Sequence, residues 1–169
     1  VIFKTIREKH YSNQFTYKIF NIFNNNRFLS YYVTFSDSCR YELPKEDQED
    51  INKLFGFSLG FNHHKDSART GWFYKDNNIH IYAYIYDNGI RTSKFIKTIN
   101  INETYIISIV DEGSNWLFSI NDVSVEEIHI TDVRIDKSSK FKIGYKLWPY
   151  FGGNNTAPHD ILIDMSLNI

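Results

Sequence analysis

Apolar and polar residues alternate with a period of two along most of this chain. Phe55, Phe57, Leu59 and Phe61 are separated by Gly56, Ser58, Gly60 and Asn62, the pattern of a strand with one buried face. Residues 68–74 and 79–86 flank the turn-forming run Lys75, Asp76, Asn77, Asn78, and this predicts a hairpin. Its second arm sets Ile79, Ile81, Ala83 and Ile85 against His80, Tyr82, Tyr84 and Tyr86. Further strands are expected at 15–23, 28–35, 95–99, 104–110, 116–120, 123–130, 141–145 and 161–167. The only helical pattern is 44–54, where Pro44 precedes a run of acids, and it reads more readily as a charged surface turn. No fixed-period repeat or linker divides the chain. Residues 1–169 are therefore expected to form one all-β domain, an antiparallel two-sheet β-sandwich with one short helix or turn near 44–54.

The hairpin also predicts a register. Tyr74 opposite Ile79 sets Phe73 against His80, Gly71 against Tyr82 and Arg69 against Tyr84. Ala68, Thr70, Trp72 and Tyr74 then share the buried face with the isoleucines. The other face carries Arg69, Gly71, Phe73, His80, Tyr82, Tyr84 and Tyr86, to which the preceding strand adds Ser58, Gly60 and Asn62, a row of rings beside two glycines. A pyranose has a C–H face that packs on such rings and a hydroxyl rim that Tyr, His, Asn and Arg satisfy. Gly60 and Gly71 would let a ligand approach the backbone. The alternative is that these tyrosines pack beneath the N-terminal strands or a loop.

Composition narrows the classes. Phe 14, Tyr 12 and Trp 3 make 17% of the chain aromatic, which favours sheet over helix. The net charge of −1 offers no field for phosphate backbones, so nucleic acid is not expected as a partner. The apolar stretches are too short for a spanning helix, and membrane insertion is not expected either. The single Cys39 cannot form an intrachain disulfide and has no recognisable catalytic motif. The chain opens at Val1 without a secretory pattern, and reads as starting at a processing boundary.

Two loops carry candidate chemistry. In the loop 62–67, Asn62, His63 and His64 precede Asp66, but adjacent histidines diverge and no His-x-x-x-His helix or Cys pair accompanies them. No metal and no cofactor are expected. The second loop, 148–160, has Trp148 and Tyr150 entering and His159 with Asp160 leaving. His159 beside Asp160 is either an oriented base or part of a structural turn.

These segments resemble uncharacterised bacterial domains of the concanavalin A-like lectin/glucanase superfamily. The resemblance rests on 57–74, with Asn62-His63-His64 and Ser67-Ala68-Arg69-x-Gly71-Trp72, on Trp148-Pro149-Tyr150-Phe151-Gly152-Gly153 and on Ala157-Pro158-His159-Asp160. It implies a jelly-roll sandwich whose concave sheet holds the ligand, and it favours an extracellular or cell-surface location. The Glu-x-Asp-x-(x)-Glu strand of the family-16 glucanases is missing, since Glu126 and Glu127 must face opposite sides of a strand. The legume-lectin calcium and manganese cluster is missing too.

Three functions compete. The leading expectation is a non-catalytic, lectin-like module binding a glycan through Asn62, His63, His64, Arg69, His80, Tyr82, Tyr84, Trp148, Tyr150 and His159. The second is a glycoside hydrolase or polysaccharide lyase. In it His63, His64 or His159 serves as base, Tyr82 or Tyr84 as acid, and Arg69 neutralises a uronate. The third is a structural or adhesion module of a larger surface or virion assembly.

Overall fold

Residues 1–12, 27–123, 130–138 and 143–168 are described in the computed structural model. Their strands are β1 (Ile2–Thr5), β2 (Phe28–Phe35), β3 (Asn52–Leu59), β4 (Ser67–Lys75), β5 (Asn78–Asp87), β6 (Ile90–Ile99), β7 (Thr104–Asp111), β8 (Asn115–Asp122), β9 (Ile130–Asp136), β10 (Gly144–Leu147) and β11 (Ile161–Leu167), with a 3-10 turn at Asp37–Cys39. Every pairing is antiparallel. One sheet has six strands in the order β1-β11-β2-β7-β8-β9, and the other has five in the order β10-β3-β4-β5-β6. The expected sandwich is the observed one.

Alternation builds the core between the sheets. From the six-stranded sheet come Tyr31, Val33, Phe35, Ile107, Ile109, Trp116, Phe118 and Ile120, and from the five-stranded sheet Phe55, Phe57, Trp72, Ile79, Ile81 and Ile85, all buried. Rings interlock across the gap, with Phe35 on Trp72 at 5.1 Å and Phe57 on Trp116 at 5.8 Å. Cys39 lies in this core, and burial pushes its thiol pKa well above the usual range.

The β4–β5 register is the one read from the sequence, from Arg69 opposite Tyr84 to Tyr74 opposite Ile79. Lys75 pairs with Asn78, so the turn holds two residues, Asp76 and Asn77. Both have positive φ, 50° and 63°, as a hairpin that follows strand twist requires and as short polar side chains tolerate.

Elsewhere the strands depart from expectation. β3 begins at Asn52 rather than 55 and stops at Leu59, leaving Phe61 92% exposed. A bulge between Lys53 and Gly56 buries both Leu54 and Phe55, which a strict period of two forbids. The segment 44–54 is a turn and not a helix: Asp47 N and Gln48 N donate to the Pro44 carbonyl at 2.9 and 3.0 Å before the chain extends. β6 starts five residues early because 90–94 are exposed and show no alternation. β1 and β9 were not expected as placed. The expected strand 15–23 lies outside the described residues, as do most of 123–130 and the start of 141–145.

Candidate functional site

Pairing fixes what the outer face of the five-stranded sheet displays, because residues opposite one another point the same way. Tyr145 lies opposite Ser58, Lys53 opposite Gly71, and Arg69 between Gly56 and Tyr84. The bulge in β3 matters here. Its extra residue brings Lys53 and Gly56, an odd number of positions apart, onto one face. A cavity of about 370 Å³ opens on this face, between the sheet, the loop at 63–64 and the segment 148–150.

Its floor is cationic. Arg69 is 8% exposed; its Nη2 donates to the Trp148 carbonyl at 2.9 Å, while its buried Nε has no acceptor. Burial lowers its pKa to about 10, so it stays charged at neutral pH. Lys53 Nζ donates to the Ile51 carbonyl and sits 4.4 Å from the centre of the Tyr84 ring. Burial first, then Arg69 and Arg91, lower the Lys53 pKa to about 8. Among the described residues that line the cavity none is a carboxylate.

Its walls are aromatic and imidazole. Burial first, then the bond to Tyr86, raises the Tyr84 phenol to about 12; the two rings meet edge to face at 5.8 Å. His63 Nδ1 lies 3.1 Å from the Tyr145 hydroxyl, and the His63 and His64 rings are 4.3 Å apart. Burial, His64 and Arg69 hold the His63 pKa at about 4, so its imidazole is neutral at neutral pH. The loop is shaped locally: Asn62 Oδ1 accepts from His64 N at 2.9 Å, and Ser67 Oγ donates to the His63 carbonyl at 2.7 Å. Among the described residues no three His, Cys, Asp or Glu side chains converge as metal ligands.

Of the residues singled out from the sequence, His63, His64, Arg69, Tyr84, Trp148 and Tyr150 line this cavity. Trp148 contributes its carbonyl, while its ring stacks on Phe3 at 5.3 Å. Asn62 sits in the adjoining loop, exposed. His80 and Tyr82 belong to a separate cluster on the same face, with Phe73 at 5.0 and 5.5 Å and Phe95 at 6.4 and 5.5 Å. The Ile51 side chain fills the space over Gly71, so that glycine admits the protein's own methyl rather than a ligand. Gly60 is a turn residue with φ of 70° and lies beyond the strand. His159 is not among the lining residues: its Nε2 is 2.8 Å from the Ser38 carbonyl, and Asp160 is engaged by Lys4 and by Arg7 N.

Lys53, Tyr145 and the pair Tyr11 and Ser12 are lining residues that sequence reasoning missed. Lys53 fell inside the acidic 44–54 segment, and no local pattern marks a bulge. Tyr11 reaches the site through an N-terminal strap in which Phe151 N donates to the His10 carbonyl at 2.7 Å and Ala157 N to Lys9 at 3.0 Å.

No protein-family model matches the sequence, and no curated protein is significantly similar to it. Solved structures are similar in fold. The alginate lyase from Klebsiella pneumoniae superposes with a TM-score of 0.58 at 11% identity, over 85% of this chain and 58% of that one. The alginate lyase vAL-1 from Chlorella virus gives 0.57 at 10% identity, over 98% and 81%. The CBM2 module of the evolved Dit of Lactobacillus casei BL23 phage J-1 gives 0.50 at 12% identity, over 99% and 76%. The chain thus spans a little over half the length of the Klebsiella enzyme. At these identities the likeness is one of architecture. With its six- and five-stranded antiparallel sheets, the chain has the sandwich of the concanavalin A-like lectin/glucanase fold.

Proposed function

We propose that the cavity binds an acidic polysaccharide, with the carboxylate of a uronate against Arg69 and Lys53 and its ring among the tyrosines. One observation carries this reading: a guanidinium that is 8% exposed lines an open cavity whose described lining residues include no carboxylate. A buried cation without a counter-ion is unfavourable for the fold, and its retention points to an anion brought by the ligand. Tyr84, Tyr86 and Tyr150 add ring faces and hydroxyls suited to a sugar. The similarity to a carbohydrate-binding module of a phage protein supports glycan binding. This keeps the lectin-like expectation but moves the site from the aromatic row to its cationic end.

A second reading, cleavage of that polymer by β-elimination, is favoured by the pairing of Lys53 with Tyr84. Elimination needs a cation to neutralise the uronate carboxylate, a base for the proton on the adjacent ring carbon and an acid for the leaving glycosidic oxygen. Arg69 supplies the first. Lys53, with a pKa near 8, supplies the second, and Tyr84, protonated up to about 12, the third. As the ring C–H and the C–O bond to the leaving sugar break, a carbon–carbon double bond forms. Lys53 takes one proton, Tyr84 gives another, and transfer between them resets the site. The two alginate lyases of similar fold support this reading.

Titration calorimetry against oligouronates and neutral oligosaccharides, with ultraviolet absorbance followed for an unsaturated product, tests both. Selective uronate binding that is lost in Arg69→Met supports the first reading, and a rise in absorbance adds the second. Equal affinity for neutral and acidic glycans, or none for either, overturns the proposal.

A further inference from the structure

The N-terminal strap joins the sheet in one lateral row. Tyr11 bridges Tyr150, Tyr150 bridges Lys53, and Lys53 pairs with Gly71 of β4, all antiparallel. Opposed residues carry their side chains to the same face, so Tyr11, Tyr150 and Lys53 turn together into the cavity, as its lining records. The strap is tied down along its length. Glu8 N donates to the Ala157 carbonyl at 2.8 Å, Thr5 bridges Ser12, and His10 Nδ1 lies 2.7 Å from the Phe151 carbonyl.

On this fixed backbone the Tyr11 side chain behaves unlike a core residue. Tyr11 is 60% exposed although it sits on a ring stack. Its ring meets Tyr150 edge-on at 5.1 Å, and Tyr150 stacks on His10 at 5.1 Å with planes 11° apart. A braced, half-open aromatic ring beside a cationic floor suits the apolar face of a sugar whose charged or hydroxyl edge is held elsewhere. Tyr84 stands on β5, four strand spacings from the strap, or about 19 Å. That span exceeds one sugar ring.

We propose that Tyr11 forms a second sugar-stacking subsite, reached by an acidic glycan that crosses the strands from Tyr84 over Arg69 and Lys53 to the N-terminal strap. This rests on the acidic-glycan reading and adds to it a direction and a minimum length for the ligand. The bound polymer lies across the five-stranded sheet, and the N-terminal segment selects for chains long enough to reach it.

The test is calorimetric titration of wild type, Tyr11→Ala and Tyr11→Phe with a uronate disaccharide and hexasaccharide, each variant first checked for an unchanged melting temperature. Tyr11→Ala is expected to weaken hexasaccharide binding about three- to tenfold, from the usual worth of a ring contact, with disaccharide affinity retained. Tyr11→Phe, which keeps the ring, is expected to restore the hexasaccharide affinity. Unaltered hexasaccharide affinity in Tyr11→Ala, or equal losses at both lengths, overturns the subsite while Arg69-dependent binding leaves the acidic-glycan reading standing. Failure of the wild type to bind either oligouronate overturns both.

Discussion

Lys53 Nζ lies 4.4 Å from the centre of the Tyr84 ring, although the two residues stand on strands separated by β4. The position of β4 opposite Lys53 is Gly71, so no β4 side chain stands between them in that row. The ammonium rests on the Tyr84 ring face and donates to the Ile51 carbonyl, and burial dominates its titration, with Arg69 and Arg91 lowering it further and Asp50 partly opposing them.

The direction of that shift separates binding from catalysis. Uronate binding requires charged Lys53, so affinity is expected to fall as pH rises through about 8, the ligand itself moving the transition upward. Elimination requires the free amine, so its rate is expected to rise with pH up to about 8 and then level. Affinity and initial rate measured from pH 6 to pH 10 give opposite slopes if Lys53 has both roles.

Arg69→Met keeps an unbranched stem and removes the charge. Because the buried guanidinium has an unsatisfied Nε, the variant is expected to be as stable as wild type or more so, by about 1–3 kcal/mol in urea denaturation. Uronate affinity is expected to fall at least tenfold, the worth of a hydrogen bond to a charged group. A loss of both stability and binding would instead assign Arg69 a structural role.

His63 makes stability sensitive to acid. Its pKa is lowered from 6.5 to about 4, so on acidification the unfolded chain takes the proton first. Stability is then expected to fall as pH drops from about 6.5 to about 4, with no further His63 contribution below. His63→Gln, which can still bond the Tyr145 hydroxyl, is expected to flatten that slope in urea midpoints taken across the interval.

Gly56 couples the bulge to the cation. A Cβ there would overlap the Ala68 carbonyl oxygen and crowd the Arg69 Cα, both backbone atoms that cannot move aside cheaply. Gly56→Ala is expected to cost about 1–3 kcal/mol and to weaken uronate binding by displacing Arg69, read by denaturation and titration on the same sample. Gly89→Ala is the comparison on open space, since nothing lies within 4 Å of its Cβ position; its φ of 82° limits the cost to backbone strain.

Local pattern carried most of the fold. The alternation of Ile79, Ile81 and Ile85 against His80, Tyr82 and Tyr84, closed by Asp76 and Asn77, determines the hairpin and its register, because side-chain period and turn length are local properties. The same periodicity sets Arg69 and Tyr84 on one face without reference to any tertiary contact. It could not show that Phe61 lies past the strand end, or that exposed 90–94 form a strand, since neither position is settled by its neighbours in sequence.

What the sequence determined by itself is thus the sandwich, the hairpin register and the aromatic face. Tertiary structure alone divided that face, keeping Arg69, His63 and Tyr84 together around a cavity and setting His80 and Tyr82 in another cluster. It alone placed Lys53 there through a one-residue bulge, brought Tyr145 beside His63 through an edge strand, and carried Tyr11 in on the strap. It also left His159 outside that lining, with its Nε2 2.8 Å from the Ser38 carbonyl. The physical reason is range. Strand periodicity is encoded between neighbours, whereas a binding site is assembled from strand order, bulges and loop closures between residues far apart in the chain.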